Sequence, residues 1–171
     1  MITKGSQSGS GAQTTASKPP NLGPALRRAW VGYQRRLDEA IATAGFTDRQ
    51  FPDGRILRKC RRSPTSISQI GRELGITRQG AHKIVASLRE RHYVRVRTSR
   101  TNRSEKIVEL TPRAHDYLTA HRKAARAIER QLRSEIGAEA YAALTGLLDV
   151  LGGEDEPRMR DYLRTKALRE P

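Results

Sequence analysis

TSISQIGRELGITRQGAHKIVASLRERHYV, residues 65–94, holds two short helical patterns that meet at a glycine. Ser66 followed three residues on by Gln69 has the spacing of a capping box and opens the first helix. Ile67, Ile70 and Leu74 recur at helical intervals and form its inner side. Gly75 stops it and can take the positive φ of a tight turn. Thr77 caps the second helix, about 77–91, whose apolar face is Ala81, Ile84, Val85 and Leu88. Gly71 falls where the two backbones must approach closely, and Ile70, Leu74, Ile76, Ala81 and Ile84 form the shared core of a helix-turn-helix. The opposite face of the second helix shows Arg78, Gln79, His82 and Lys83. Gly80, inside that helix, costs about 1 kcal/mol relative to Ala. The expectation is that its missing side chain lets the backbone come closer to whatever the helix is pressed against.

Downstream, YVRVRT (93–98) alternates and EKIVEL (105–110) is rich in strand formers, with the turn-forming SRTNRS between them. This predicts a two-stranded β-hairpin whose tip carries Arg97, Arg100, Arg103 and Lys106, with Glu105 the nearest acid. Helix-turn-helix plus hairpin is a winged helix-turn-helix, a mainly α fold with a small β wing (α+β). In such folds the second helix enters the DNA major groove. Arg78 can pair with guanine O6 and N7, and Gln79 with adenine N6 and N7. Lys83 and the Thr77 hydroxyl suit phosphate. Arg103 at the tip suits the adjacent minor groove, and the other tip cations suit phosphate.

Around this unit, residues 1–23 are rich in Gly, Ser, Thr and Pro without apolar periodicity, and are expected to be a disordered tail. Pro24 suits a first helical turn. Leu26, Trp30, Tyr33, Leu37 and Ile41 then form one stripe on a helix of about 24–44, ended by Gly45. PDGRILRKCRR (52–62) reads as a short helix broken by Ser63-Pro64. Thr111-Pro112 opens a long helix to about 136 with a stripe of Ala114, Leu118, Ala125, Ile128, Leu132 and Ile136. Gly137 interrupts it before a helix of about 138–151 carrying Tyr141, Leu144, Leu147, Leu148 and Leu151. Met159, Tyr162, Leu163 and Ala167 suggest a last amphipathic helix. The expected organisation is a tail (1–23), an N-terminal helical unit (24–51), the winged helix (52–111) and a C-terminal helical unit (112–171).

A net charge of +15 over 171 residues, at a pI near 11.0, favours a polyanionic partner, above all nucleic acid. Few aromatics (5%) and a mean hydropathy of −0.71 suggest that part of the apolar surface is buried between subunits. The single cysteine, Cys60, excludes an internal disulfide and any CxxC metal site, and suits a reducing cytoplasm. No apolar run approaches 18 residues, so no membrane span is expected. No phosphate-binding GxxxxGK, HExxH or nucleophile motif is present, and His92, His115 and His121 lack metal-ligand spacing; neither catalysis, metal nor cofactor is expected. Five basic residues at 55, 58, 59, 61 and 62 form either a phosphate clamp or a solvated face, and they would lower the pKa of Cys60 if its thiol were accessible. Its place beside Ile56 and Leu57 argues instead for burial.

The order of elements, and TSISQIGRELGITRQGAHKIVASLRERHYV followed by VELTPRAHDYL (108–118) in particular, resembles the MarR (multiple antibiotic resistance regulator) family over about residues 25–152. The resemblance implies a homodimeric transcription regulator, a repressor rather than an activator, on a pseudo-palindromic operator and under small-molecule control. The competing class is a non-specific architectural DNA-binding protein. In the family the first and last helices of both chains pack together, which would bury Leu26, Trp30, Leu132, Ile136, Tyr141, Leu144 and Leu148 at a dimer interface. Family ligand sites lie where the first, second and long fifth helices meet the DNA-binding lobe, and Trp30, Tyr33 and His115 are the candidates here. Two departures stand out. Asn102 replaces the acid that usually precedes the wing arginine, Arg103, and Ala114 replaces a customary glycine.

Overall fold

The computed structural model describes residues 21–50 and 52–153. The order is α1 (Leu22–Thr43), α2 (Asp53–Arg62), β1 (Thr65–Ser66), α3 (Ile67–Leu74), α4 (Arg78–Glu90), β2 (Val94–Thr98), β3 (Lys106–Leu110), α5 (Pro112–Ile136) and α6 (Ala138–Gly152). Leu22 and Gly23, read as tail, belong to the first turn of α1, because Asn21 caps it by accepting from the Gly23 amide. The proposed helix around 159–167 and the tail before residue 21 lie outside the described residues.

Local chemistry sets the central turn. Ser66 Oγ accepts from the Gln69 amide at 3.2 Å, and Gly75 ends α3 at φ +65°. Only half of the expected capping box forms, since Gln69 Nε2 donates to Glu73 instead (2.9 Å), and Glu73 in turn pairs with Lys59 of α2 at 2.6 Å. A Cβ added to Gly71 would meet the Ile76 carbonyl at 3.4 Å and the Ala81 methyl at 3.5 Å, so this position is where α3 and α4 touch.

The sheet has three strands in the order β1-β3-β2, all antiparallel, rather than the two predicted. Thr65 and Ser66 pair with Val108 and Ile107. A strand of two residues has no alternation to read, and Ser66 serves it while also capping α3. Val94 and Val108 are buried on the inner sheet face, against the side of α4 that buries Ala81, Val85 and Leu88. Tyr117, absent from the predicted α5 stripe, is 1% exposed and packs edge-on against Phe46 and Tyr93.

The end of α4 is a Schellman motif: the His92 amide donates to the Arg89 carbonyl and the Tyr93 amide to the Leu88 carbonyl. Its left-handed position is filled by His92, at φ +61°, where glycine is unstrained. His92→Gly should therefore stabilise the fold by about 1 kcal/mol, the relieved strain outweighing the added chain entropy of glycine. Thermal unfolding should shift upward by roughly 2–4 °C; a lower melting temperature would show that the exposed imidazole contributes more than its backbone costs.

Candidate nucleic-acid interface

Helix α4 presents the surface that the helix-turn-helix pattern anticipates. Arg78, Gln79, His82 and Lys83 are all exposed, while Ala81, Val85 and Leu88 are buried on the other side. Among the described residues none of these four polar side chains is engaged in a hydrogen bond or ion pair. The Thr77 hydroxyl accepts from the Gly80 amide at 3.0 Å, so its acceptor role belongs to the cap and only its proton is free for a phosphate. Gly80 is explained differently from the sequence reading. An added Cβ would lie 3.2 Å from Thr77 Oγ1 and 3.9 Å from Ile76 Cβ. It would point back toward the Thr77 hydroxyl rather than outward, which makes this a tight position for a side chain.

The wing also departs from expectation in its details. Arg97 and Lys106 are strand residues, not tip residues. Arg97 lies on the outer sheet face diagonal to Glu109 and pairs with it at 2.5 Å, so its nearest acid is Glu109 rather than Glu105. Lys106 Nζ donates to Thr98 Oγ1 across the strand pair at 2.9 Å. The tip proper carries Arg100 and Arg103, both exposed and without a partner among the described residues. Asn102 Oδ1 accepts from the Ser104 amide (3.1 Å) and hydroxyl (2.7 Å), so it shapes the loop rather than orienting Arg103. Between α4 and the wing runs a groove of about 480 Å³, floored by Ile67, Val85, Ala86 and Val96 and rimmed by His82, Lys83, Arg89 and Lys106.

Behind this surface lies a polar network that the sequence did not announce. Asp53, 2% exposed, takes both terminal nitrogens of Arg91, at 2.5 and 3.0 Å, and accepts from the Gln50 amide at 2.9 Å. Arg91 also donates to the Asp48 carbonyl at 2.9 Å. Tyr93 Oη donates to Asp48 Oδ1 (2.7 Å) and Arg113 to Asp48 Oδ2 (3.1 Å). Burial pushes the Asp48 carboxyl up, but the Tyr93 hydroxyl and the Arg113 guanidinium outweigh it and hold the group below its ordinary range. The network joins the α1–α2 loop to the C-terminus of α4 and the start of α5.

The remaining candidates are placed as follows. Cys60 is 5% exposed, and burial pushes its thiol up to about 11, so the neighbouring lysine does not activate it. Trp30 and Tyr33 stack at 6.3 Å, but the groove beside Trp30 is lined by Val31, Gln34, Arg35, Asp38 and Glu39, not by Tyr33 or His115, and His115 stands exposed. His121 packs on Tyr117, and burial, then Arg58 and Arg49, lower its pKa to about 4. The native state therefore holds His121 neutral while the unfolded chain protonates near 6.5. Its contribution to stability is complete above that value and is lost as pH falls toward 4. His121→Gln should flatten the decline in melting temperature across this window; an unchanged profile would assign the decline to other groups.

The family model described as MarR family matches residues 45–103. This winged-helix segment is similar to the MarR family. No curated protein matches the chain significantly. Among solved structures, the YusO protein of Bacillus subtilis matches at 12% identity and TM-score 0.64, over 78% of this chain and 93% of that one. The transcriptional repressor CouR, solved on a 23-mer DNA duplex, matches at 24% identity and TM-score 0.56, over 78% and 93%. MarR of E. coli in its apo form matches at 16% and 0.57, over 77% and 96%. At these identities the structures share the MarR-type winged-helix fold with this chain, and the likeness extends beyond the matched segment to its flanking helices.

Proposed function

We propose that the protein is a DNA-binding transcription regulator that acts as a homodimeric repressor on a pseudo-palindromic operator. The observation that carries this reading is the unengaged face of α4, with Arg78, Gln79, His82 and Lys83 beside a wing tip bearing Arg100 and Arg103, unpaired among the described residues. Arg and Gln on a major-groove helix give bidentate base contacts, and cations at the tip and groove rim suit phosphate. The MarR-family winged helix and the DNA-bound state of one structural neighbour support the same reading.

Dimerisation is supported by what the single chain leaves uncovered. α6 buries none of its residues, and Leu147 (69%), Val150 (83%), Leu151 and Leu148 stay exposed together with Trp30 and Ile136. Leu26, Leu132 and Tyr141 are half-buried and Leu144 is exposed. A two-fold mate would cover these groups and set two recognition helices about 34–36 Å apart. Control by a small molecule belongs to the reading as well. This part rests on the likeness to the MarR family alone; Arg49, in the α1–α2 loop, is already paired with Asp38 and bonded to Gln34. A cytoplasmic, non-enzymatic role accompanies it; among the described residues no helix is long and apolar enough to cross a membrane.

Sequencing of genomic fragments retained by the purified protein tests the whole proposal. The expected result is a short inverted repeat with half-sites one helical turn apart. Recovery of fragments without a common motif would replace it with non-specific architectural binding. Arg103→Ala should weaken binding and reduce the slope of log affinity against log salt by about 0.9 for each phosphate that the arginine neutralises. An unchanged slope would remove the wing tip from the interface.

A further inference from the structure

Helix α5 carries a second cationic surface that the winged-helix reading does not use. Arg122, Arg126, Arg130 and Arg133 are all exposed, and their spacings of four, four and three put them in one arc of the helix. The arc lies away from the face that buries Ala114, Tyr117, Leu118 and Ala124. Among the described residues none of the four guanidiniums has an ion pair or hydrogen bond. Like charges four residues apart destabilise a helix, whereas an ordinary solvated helix face mixes signs. Glu129 is the acid that borders the arc; with Arg126, Arg130, Arg133 and Tyr141 of α6 it lines a shallow groove of about 250 Å³.

Geometry separates this stripe from the DNA-reading surface. α5 starts directly after β3, whose far end meets the wing tip. At about 1.5 Å per residue the stripe lies roughly 15–31 Å along α5 from its first residue, alongside α6 rather than the wing. A second copy of the chain is a poor occupant, because charged residues are depleted from interface cores and the exposed apolar groups lie on α1, the end of α5 and α6; of the groove's lining only Tyr141 belongs to the surface assigned to the mate. Four guanidiniums about 6 Å apart along an axis match a line of phosphates, since each can take a phosphate oxygen pair bidentately.

We infer that the Arg122–Arg133 stripe binds the phosphate backbone of a second DNA duplex, so that a dimer holding one duplex on its recognition helices can bridge to another. The inference rests on the DNA-binding reading above. The test uses the full chain, a bead-bound fragment recovered in the sequencing experiment and a free fluorescent duplex of unrelated sequence. Wild type should retain the free duplex on the beads at low salt. The variant Arg122→Gln, Arg126→Gln, Arg130→Gln, Arg133→Gln should bind the bead-bound fragment with unchanged affinity yet retain at least tenfold less free duplex. The corresponding four-lysine variant, which preserves the charge, should restore most of that retention and guards against a folding defect.

Equal bridging by the glutamine variant would overturn the inference, as would retention by wild type of an acidic polypeptide in place of the free duplex. Loss of the first binding event in the glutamine variant, with the lysine variant intact, would also overturn it by assigning the stripe to the principal interface. Failure of wild type to hold any bead-bound fragment would instead strike the DNA-binding reading itself.

Discussion

Asp53→Ala should cost about 3–5 kcal/mol of folding stability. The carboxylate is buried with a bidentate partner, Arg91, whose side chain is itself only 14% exposed. Removing the acid leaves a guanidinium enclosed by Asp48, Ser87 and the Tyr93 ring, with its main counter-charge gone. The penalty is chiefly that stranded charge rather than the net worth of the pair. The combination Asp53→Leu with Arg91→Met should therefore recover much of the loss, because it removes both desolvated charges at once. Chemical denaturation of wild type, Asp53→Ala and the double variant measures this. A loss below about 1 kcal/mol for Asp53→Ala would mean that water reaches the pair and that it behaves like a surface ion pair. DNA affinity should fall with stability, because Arg91 follows directly on α4 and anchors its C-terminal end to the α1–α2 loop.

Asp48 adds a pH dependence of defined sign. Its native pKa is depressed below the ordinary value near 3.8, so its contribution is present above that value and disappears as pH falls through the native one. His121 acts over a higher window, and the two together predict that stability declines in two stages on acidification, first near neutral-to-mild acid and then in strong acid.

Local chemistry is what the sequence makes legible. Ser66, Gly75 and Thr77 announce the helix-turn-helix because caps and positive-φ turns are decided within three or four residues. The exposed set on α4 follows from helical periodicity alone. Long-range structure is not legible in the same way. Arg91 meets Asp53 across 38 positions and Arg113 meets Asp48 across 65, and nothing near any of the four residues signals its partner. Arg97 reads as a tip cation until the strand register places Glu109 diagonal to it. Tyr117 falls outside the aliphatic stripe of α5, because the core there is built on an aromatic contact with Phe46 and Tyr93. The glycine in α4 is the most instructive difference. Helix propensity reveals its cost, but not the direction of the missing side chain, which would stand 3.2 Å from the hydroxyl of the helix's own cap, Thr77.

The double substitution Arg78→Ala with Gln79→Ala should abolish sequence discrimination while leaving general DNA affinity largely in place. A bidentate arginine–guanine or glutamine–adenine pair is worth about 1–3 kcal/mol of discrimination. If the two read separate base pairs, the losses add to roughly 2–6 kcal/mol, or about 30-fold to 10⁴-fold in affinity for the operator. The fold should tolerate the change. Both side chains are exposed, neither makes a hydrogen bond or ion pair among the described residues, and alanine is the better helix former. The Thr77 cap and the Gly80 amide that it accepts from are untouched. Lys83→Ala supplies the contrast, since removing a phosphate contact should weaken operator and random DNA equally. Titrating both duplexes at one salt concentration yields the ratio of affinities directly. A ratio that collapses for the double variant but holds for Lys83→Ala assigns base reading to the first turn of α4. Equal losses on both duplexes would show that Arg78 and Gln79 meet only the backbone, and that specificity arises from DNA shape or from the wing.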